Sequence, residues 1–110
     1  SELRDALSPE DRQGLYLIPG SKCVLLWPRS YLDAYTERQG SDPLGNLAFN
    51  RSFYSQMIFR SFDGTGRIVL PGEIAERFKT REVTIVGAGR YLELWDPADL
   101  KARITPLDFA

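Results

Sequence analysis

Asp63 and Arg67 stand at the two ends of a Gly-rich pentapeptide, Asp63-Gly64-Thr65-Gly66-Arg67. A guanidinium carried on a tight turn offers a planar fork of N–H donors, which matches a phosphate or the acceptor edge of guanine. A carboxylate on the opposite shoulder of the turn can pair with that guanidinium, fix the loop and aim it. Arg60 lies close by in sequence and would add to the positive field. A two-stranded β-ribbon entering the major groove is one way to present such a loop to DNA. The same five residues also read as a hairpin turn and nothing more, because Asp and Gly both tolerate positive φ. The pentapeptide by itself is too short to decide between the two.

Other chemistry is thinly supplied. The chain has no His and a single Cys, Cys23. That removes the commonest general base, the usual catalytic triad, most zinc sites and any internal disulfide. No phosphate-cradling loop of Walker type is present. Asp and Glu are scattered without a spacing that picks out a pair, so no catalytic residue, cofactor or metal is expected; an enzyme using two carboxylates would need them to face each other in a deep pocket. A net charge of −1 over 110 residues argues against a strongly basic nucleic-acid binder. A DNA site would have to be a local cluster, or one multiplied by oligomerisation. No apolar run nears the ~18–20 residues of a membrane helix, and a cytosolic protein is expected.

The elements that must hold the pentapeptide announce themselves as a repeat. Leu15-Tyr-Leu-Ile-Pro-Gly-Ser-Lys-Cys-Val-Leu-Leu-Trp27 reappears as Val83-Thr-Ile-Val-Gly-Ala-Gly-Arg-Tyr-Leu-Glu-Leu-Trp95, at an offset of 68 without a gap. Each copy is an apolar run, a turn, a second apolar run and a Trp, which predicts strands Leu15–Ile18 and Cys23–Trp27, then Val83–Val86 and Arg90–Trp95. Each is preceded by a short helical pattern. Leu3 and Leu7 match Ile74 and Phe78 at an offset of 71, so the first copy carries three extra residues in the connection Ser8–Gly14. Each Trp is followed by a helix start. Asp96-Pro97-Ala98-Asp99 reads as N-cap, first helical position and acidic first turn, and Ser30 reads as the cap of a helix Tyr31–Arg38. Gly40–Gly45 reads as a break and Leu47–Tyr54 as a further helix. The tail Ile104–Ala110 is short.

Between the copies, Gln56–Phe62 reads as a strand buried on both faces, Asp63–Gly66 as its turn and Arg67–Leu70 as the returning strand. The first copy shows no counterpart of this hairpin. By comparison with residues 52–71 it would fall ahead of Ser1, so the first copy is expected to be incomplete at its N-terminus.

This order of motifs resembles the MraZ family of bacterial transcription regulators of the AbrB-like type. The resemblance rests on Asp63-Gly-Thr-Gly-Arg67-Ile-Val-Leu-Pro71, then Glu73-Ile-Ala-Glu-Arg-Phe78, Val83-Thr-Ile-Val-Gly87 and Leu92-Glu-Leu-Trp95. The first half adds Leu15-Tyr-Leu-Ile-Pro-Gly20 and Leu25-Leu-Trp27-Pro28, and Phe49-Asn-Arg51-Ser-Phe53-Tyr54-Ser55 resembles the family's inter-repeat helix. Together these cover the chain from about residue 3 to 100.

The resemblance implies an α+β fold, a swapped-hairpin β-barrel made of two tandem AbrB-like repeats with short connecting helices. Residues 1–35 would be the remainder of the first repeat, 36–54 a helical linker, 55–101 the second repeat and 102–110 a tail. It implies a homo-oligomeric ring that binds repeated promoter elements of the division and cell-wall gene cluster in double-stranded DNA, in the cytoplasm and on the nucleoid. It implies no membrane and no small-molecule substrate. The DNA-facing role of the family's Asp-x-x-x-Arg motif falls on Arg67, with Asp63 as organiser, Gly64, Thr65 and Gly66 as the loop between them and Arg60 beside it. An AbrB-like antitoxin-type regulator is the alternative within DNA binding; a module serving only oligomerisation is the alternative outside it. Trp27 and Trp95 read as packing residues, Cys23 as a small apolar strand residue, and Lys22, Arg90 and Arg51 as solvated charges or contacts to DNA or a subunit.

Overall fold

The computed structural model describes residues 2–39, 47–78 and 82–107. Their order is α1 (Glu2–Asp5), a 3₁₀ turn (Pro9–Asp11), β1 (Gly14–Pro19), β2 (Val24–Trp27), α2 (Arg29–Gln39), α3 (Leu47–Gln56), β3 (Ile58–Ser61), α4 (Gly72–Ala75), β4 (Thr84–Gly87), β5 (Leu92–Trp95) and α5 (Pro97–Arg103). The predicted break at Gly40–Gly45 and the last three residues of the tail lie outside the described residues.

The two copied stretches form two hairpins of the same register. Tyr16 faces Trp27 in one and Thr84 faces Trp95 in the other, and each further pair follows at the offset of 68. Their turns close alike, with the Gly20 N–H donating to the Cys23 carbonyl and the Ala88 N–H to the Tyr91 carbonyl, each at 2.9 Å. The hairpins join through β2 and β5, which run antiparallel with Leu25 opposite Glu93, Val24 opposite Leu94 and Leu26 opposite Leu92. Leu25 and Glu93 are themselves 68 apart, so a local two-fold axis passes between them.

With β3 added beside β1, the sheet runs β3-β1-β2-β5-β4, entirely antiparallel. It is open, ending at β3 and β4, where a closed barrel was expected. The α+β class holds. A layer covers each face of β1 and β2, which explains why β1 reads as a continuous apolar run. Leu15 and Leu17, with Val24, Leu26 and Leu94, pack under Ile74 and Phe78. On the other face Ile18 and Trp27 pack under Phe53 of α3 and Tyr31 and Tyr35 of α2. Ring centroids lie 4.7 Å from Trp27 for Tyr31 and 5.2 Å for Tyr35 and Phe53.

Three expectations change. The strand before Asp63 is not buried on both faces: among the described residues β3 pairs only with β1, and it alternates half-buried and exposed, its Phe59 lying against Tyr16 at the sheet edge. Arg67–Leu70 is not a strand. Ile68 and Leu70 still turn toward the first core while Val69 is 74 % exposed, so the segment keeps an in-and-out alternation without ladder bonds. Ser30 is not the cap of α2. The Pro28 carbonyl accepts from Tyr31 and Leu32, which puts Ser30 inside the first turn. The predicted cap of α5 is as read: Asp96 Oδ1 accepts the Ala98 N–H at 3.0 Å, with Pro97 at the first position.

Candidate nucleic-acid interface

Residues 62–67 leave the sheet at the end of β3 as a loop built by one carboxylate. The Asp63 carbonyl accepts the Gly66 N–H at 3.0 Å, and the Asp63 N–H donates to the Arg67 carbonyl at 2.8 Å. Those two bonds enclose a three-residue hairpin loop whose third residue, Gly66, has φ +83°. This is the tight turn followed by a left-handed glycine that such loops favour. Gly66 is therefore the conformationally required glycine. Gly64 has no positive φ and nothing within 4 Å of an added Cβ.

Inside that frame Asp63 Oδ1 accepts three bonds: the Thr65 N–H at 2.9 Å, the Thr65 hydroxyl at 2.8 Å and the Arg67 N–H at 2.9 Å. The Arg67 N–H bond contributes most to holding the Asp63 carboxyl below its usual range, followed by the Thr65 hydroxyl. Hydrogen bonds to the charged form act in that direction. The sequence suggested a carboxylate–guanidinium pair. Asp63 instead grips Arg67 by its main chain, and the exposed guanidinium makes no hydrogen bond or salt bridge to a described residue. The loop is thus held rigid by Asp63, Thr65 and Gly66 while the donor fork of Arg67 stays open to a ligand. Arg60 is on β3, half-buried, and turns Nη1 back onto the Phe59 carbonyl at 3.0 Å.

The loop is anchored on its β1 side. The Phe62 N–H donates to the Gln13 carbonyl at 3.1 Å, one step beyond the Gly14–Ser61 pair. A Cβ on Gly14 would run into the Arg60 carbonyl and lie 2.9 Å from Ser61 Cα, so only glycine lets β3 approach this closely.

One residue of this neighbourhood was missed in the sequence. Asp11 is 5 % exposed. Its Oδ1 accepts the Ser30 N–H at 3.0 Å, and its Oδ2 accepts the Ser30 hydroxyl at 2.6 Å and the Ser8 hydroxyl at 3.0 Å. Burial acts to raise its pKa, but the Ser30 and Ser8 hydrogen bonds outweigh burial and leave it lowered. The offset of 68 carries the signal: Pro28 takes the place of the capping Asp96, and Ser30 the place of Ala98. Pro28 has no side-chain acceptor, and Asp11, from the three-residue-longer connection, supplies one.

The remaining candidates disperse. The Arg90 guanidinium sits over the Tyr31 ring, 5.7 Å from its centroid, bracing the second hairpin against α2. Lys22 and Arg51 are exposed. Cys23 is half-buried; burial raises its thiol pKa, and Glu93 adds to the shift. Trp27 and Trp95 are core residues. Among the described residues no group of three or more His, Cys, Asp or Glu could hold a metal, and no helix is long and apolar enough to cross a membrane.

Comparison with known proteins adds independent findings. A family model described as "MraZ protein, putative antitoxin-like" matches residues 55–104, which include the loop and the second hairpin. The transcriptional regulator MraZ of Paraburkholderia xenovorans is 30 % identical over 106 residues, 94 % of this chain and 74 % of that protein. The proteins of the same description from Delftia acidovorans and Herminiimonas arsenicoxydans are 32 % and 34 % identical, over 73 % and 71 % of this chain. In those two matches the chain spans 57 % and 56 % of the relatives' length.

Proposed function

The chain belongs to the MraZ family, and on that premise we propose that it is a transcription regulator whose Asp63–Arg67 loop reads double-stranded DNA. The observation that carries the reading is the pre-formed loop with its unengaged guanidinium. Asp63 organises the loop, Gly64, Thr65 and Gly66 shape it, Arg67 makes the contact, and Arg60 contributes charge from β3. Following the family resemblance, the targets are repeated promoter elements of the division and cell-wall gene cluster, and the protein works in the cytoplasm, at the nucleoid, without catalysis. The chain's two halves act as AbrB-like hairpin units.

One such loop is a weak site on a chain of net charge −1. A ring of copies presenting their loops in register with repeated DNA boxes would gain avidity, on the order of 10²–10⁴ over a single contact. Binding weakens steeply with added salt, because it draws on phosphate charge.

The test is Arg67→Ala. Folding and assembly persist and the shift of a promoter duplex is lost. Undiminished, sequence-dependent binding by that variant at moderate salt overturns the reading. A well-folded oligomer of the native chain that shifts no duplex would favour a module serving assembly alone.

A further inference from the structure

We propose that Asp11 is a positioning residue for the Asp63–Arg67 loop, a role that rests on the reading of this loop as the DNA contact. The path from one to the other is short and continuous. Asp11 fastens the connection Ser8–Gly14 to the first turn of α2 through Ser30. Two residues on, the Gln13 carbonyl holds the Phe62 N–H. Phe62 leads directly into Asp63, whose carboxylate fixes Thr65 and Arg67. Trp27, just before α2, is packed in the second core, so Ser30 is a firm post. The connection carries a second fastening, since the Arg12 guanidinium donates to the Leu7 and Asp5 carbonyls at the end of α1.

The comparison of the two halves shows that capping alone does not require this arrangement. In the second half Asp96 caps α5 from the adjoining position, with no reach across the fold. In the first half the cap comes from 19 residues away in sequence, out of the Ser8–Gly14 connection, a strap that also carries the loop's anchor. A cap supplied locally by a residue at 28 would stabilise α2 equally and leave the strap untied. The arrangement present therefore does two things at once: it caps the first turn of α2 and sets the pose of the loop.

Four proteins separate these roles: the native chain, Asp11→Ala, Asp11→Asn, and Asp11→Ala combined with Pro28→Asp. The last restores a cap in the manner of Asp96 without restoring the tie. The readouts are thermal midpoint, hydrogen exchange at the Phe62, Thr65 and Arg67 amides, and affinity for a labelled duplex carrying the repeated promoter elements. Asp11→Asn, which keeps an acceptor for the Ser30 N–H, retains native exchange and affinity. Asp11→Ala loses stability, and Pro28→Asp recovers it. The double variant nevertheless keeps fast exchange at Phe62 and binds roughly ten-fold more weakly, the size of one coupled contact. If Pro28→Asp restores exchange and affinity together with stability, Asp11 is a cap only and the proposal is overturned. Native exchange at Phe62 in folded Asp11→Ala overturns it as well. The exchange measurement decides the matter even if no variant, nor the native chain, binds the duplex; that outcome would refute the DNA reading and not the mechanical tie.

Discussion

Asp63 holds Arg67 by its main-chain N–H, at 2.9 Å, and acts on the guanidinium only through charge, the smallest of the causes that lower the carboxyl's pKa. The acid of the pair is therefore an organiser of backbone, and the base alone is available to a partner.

Removing that acid makes the loop more positive, yet binding is expected to weaken. Asp63→Ala frees the Thr65 and Arg67 N–H groups and lets the guanidinium wander. Affinity for a promoter duplex falls about ten-fold, in the range a well-placed contact is worth, while the slope of affinity against salt stays as in the native chain because Arg67 remains. Fluorescence anisotropy across a salt series measures both. Tighter binding by the variant would show that net charge, not loop geometry, controls the contact.

Arg67→Lys keeps the charge and loses the fork. Binding to unrelated duplex is expected to stay near the native level, while preference for promoter boxes shrinks, because an ammonium cannot make the paired bonds a guanidinium makes. Competition between the two duplexes reports the ratio. An unchanged ratio would assign Arg67 to phosphate alone.

The glycines divide by conformation. Gly66→Ala strains a residue at φ +83° and costs about 1 kcal/mol. Gly64→Ala meets no atom within 4 Å and is neutral. Gly14→Ala pushes a methyl into the backbone of β3 and costs about 1–3 kcal/mol. Chemical denaturation ranks the three. A Gly64 variant as damaged as the Gly66 variant would contradict the loop geometry.

Acid should unfold the chain through its organising carboxylates. Asp11 and Asp63 both have pKa values lowered from 3.8. A carboxyl that ionises more readily in the folded state contributes stability that is present above its unfolded pKa. That contribution is lost as pH falls through the lower folded value. The thermal midpoint is thus expected to drop on acidification below pH 3.8, and less steeply in Asp11→Asn than in the native chain. Asp63, fully at the surface, contributes little to this limb. Equal acid slopes in the native and Asp11→Asn proteins would remove Asp11 from the account.

Much of this was legible in the residues. The repeat marked both hairpins, because strand alternation and turn glycines are local signals. The cap at Asp96 was legible for the same reason: donor and acceptor are two residues apart. What escaped depends on distant partners. Ser30 looks like a cap until Asp11 comes across the fold to bond it. Gln56–Phe62 looks doubly buried because its aromatics are apolar, but Phe59 is exposed and lies against Tyr16 at an open edge. Val69 reads as strand, yet no ladder reaches it among the described residues. In each case periodicity gives the direction of a side chain and is silent about what stands opposite.

The pairing of Leu25 with Glu93 has a consequence for how such a molecule can change over time. Where identical subunits meet on a two-fold axis, the residue at the axis must tolerate its own copy as a neighbour. With the two halves joined in one chain, that constraint is gone. An aliphatic side chain can lie beside a carboxylate, and Glu93 can accept the Trp95 indole N–H at 3.0 Å without a second carboxylate crowding it. Joining the halves thus frees each to specialise: one retains a helix that caps itself, and the other draws its cap from a strap beside the loop.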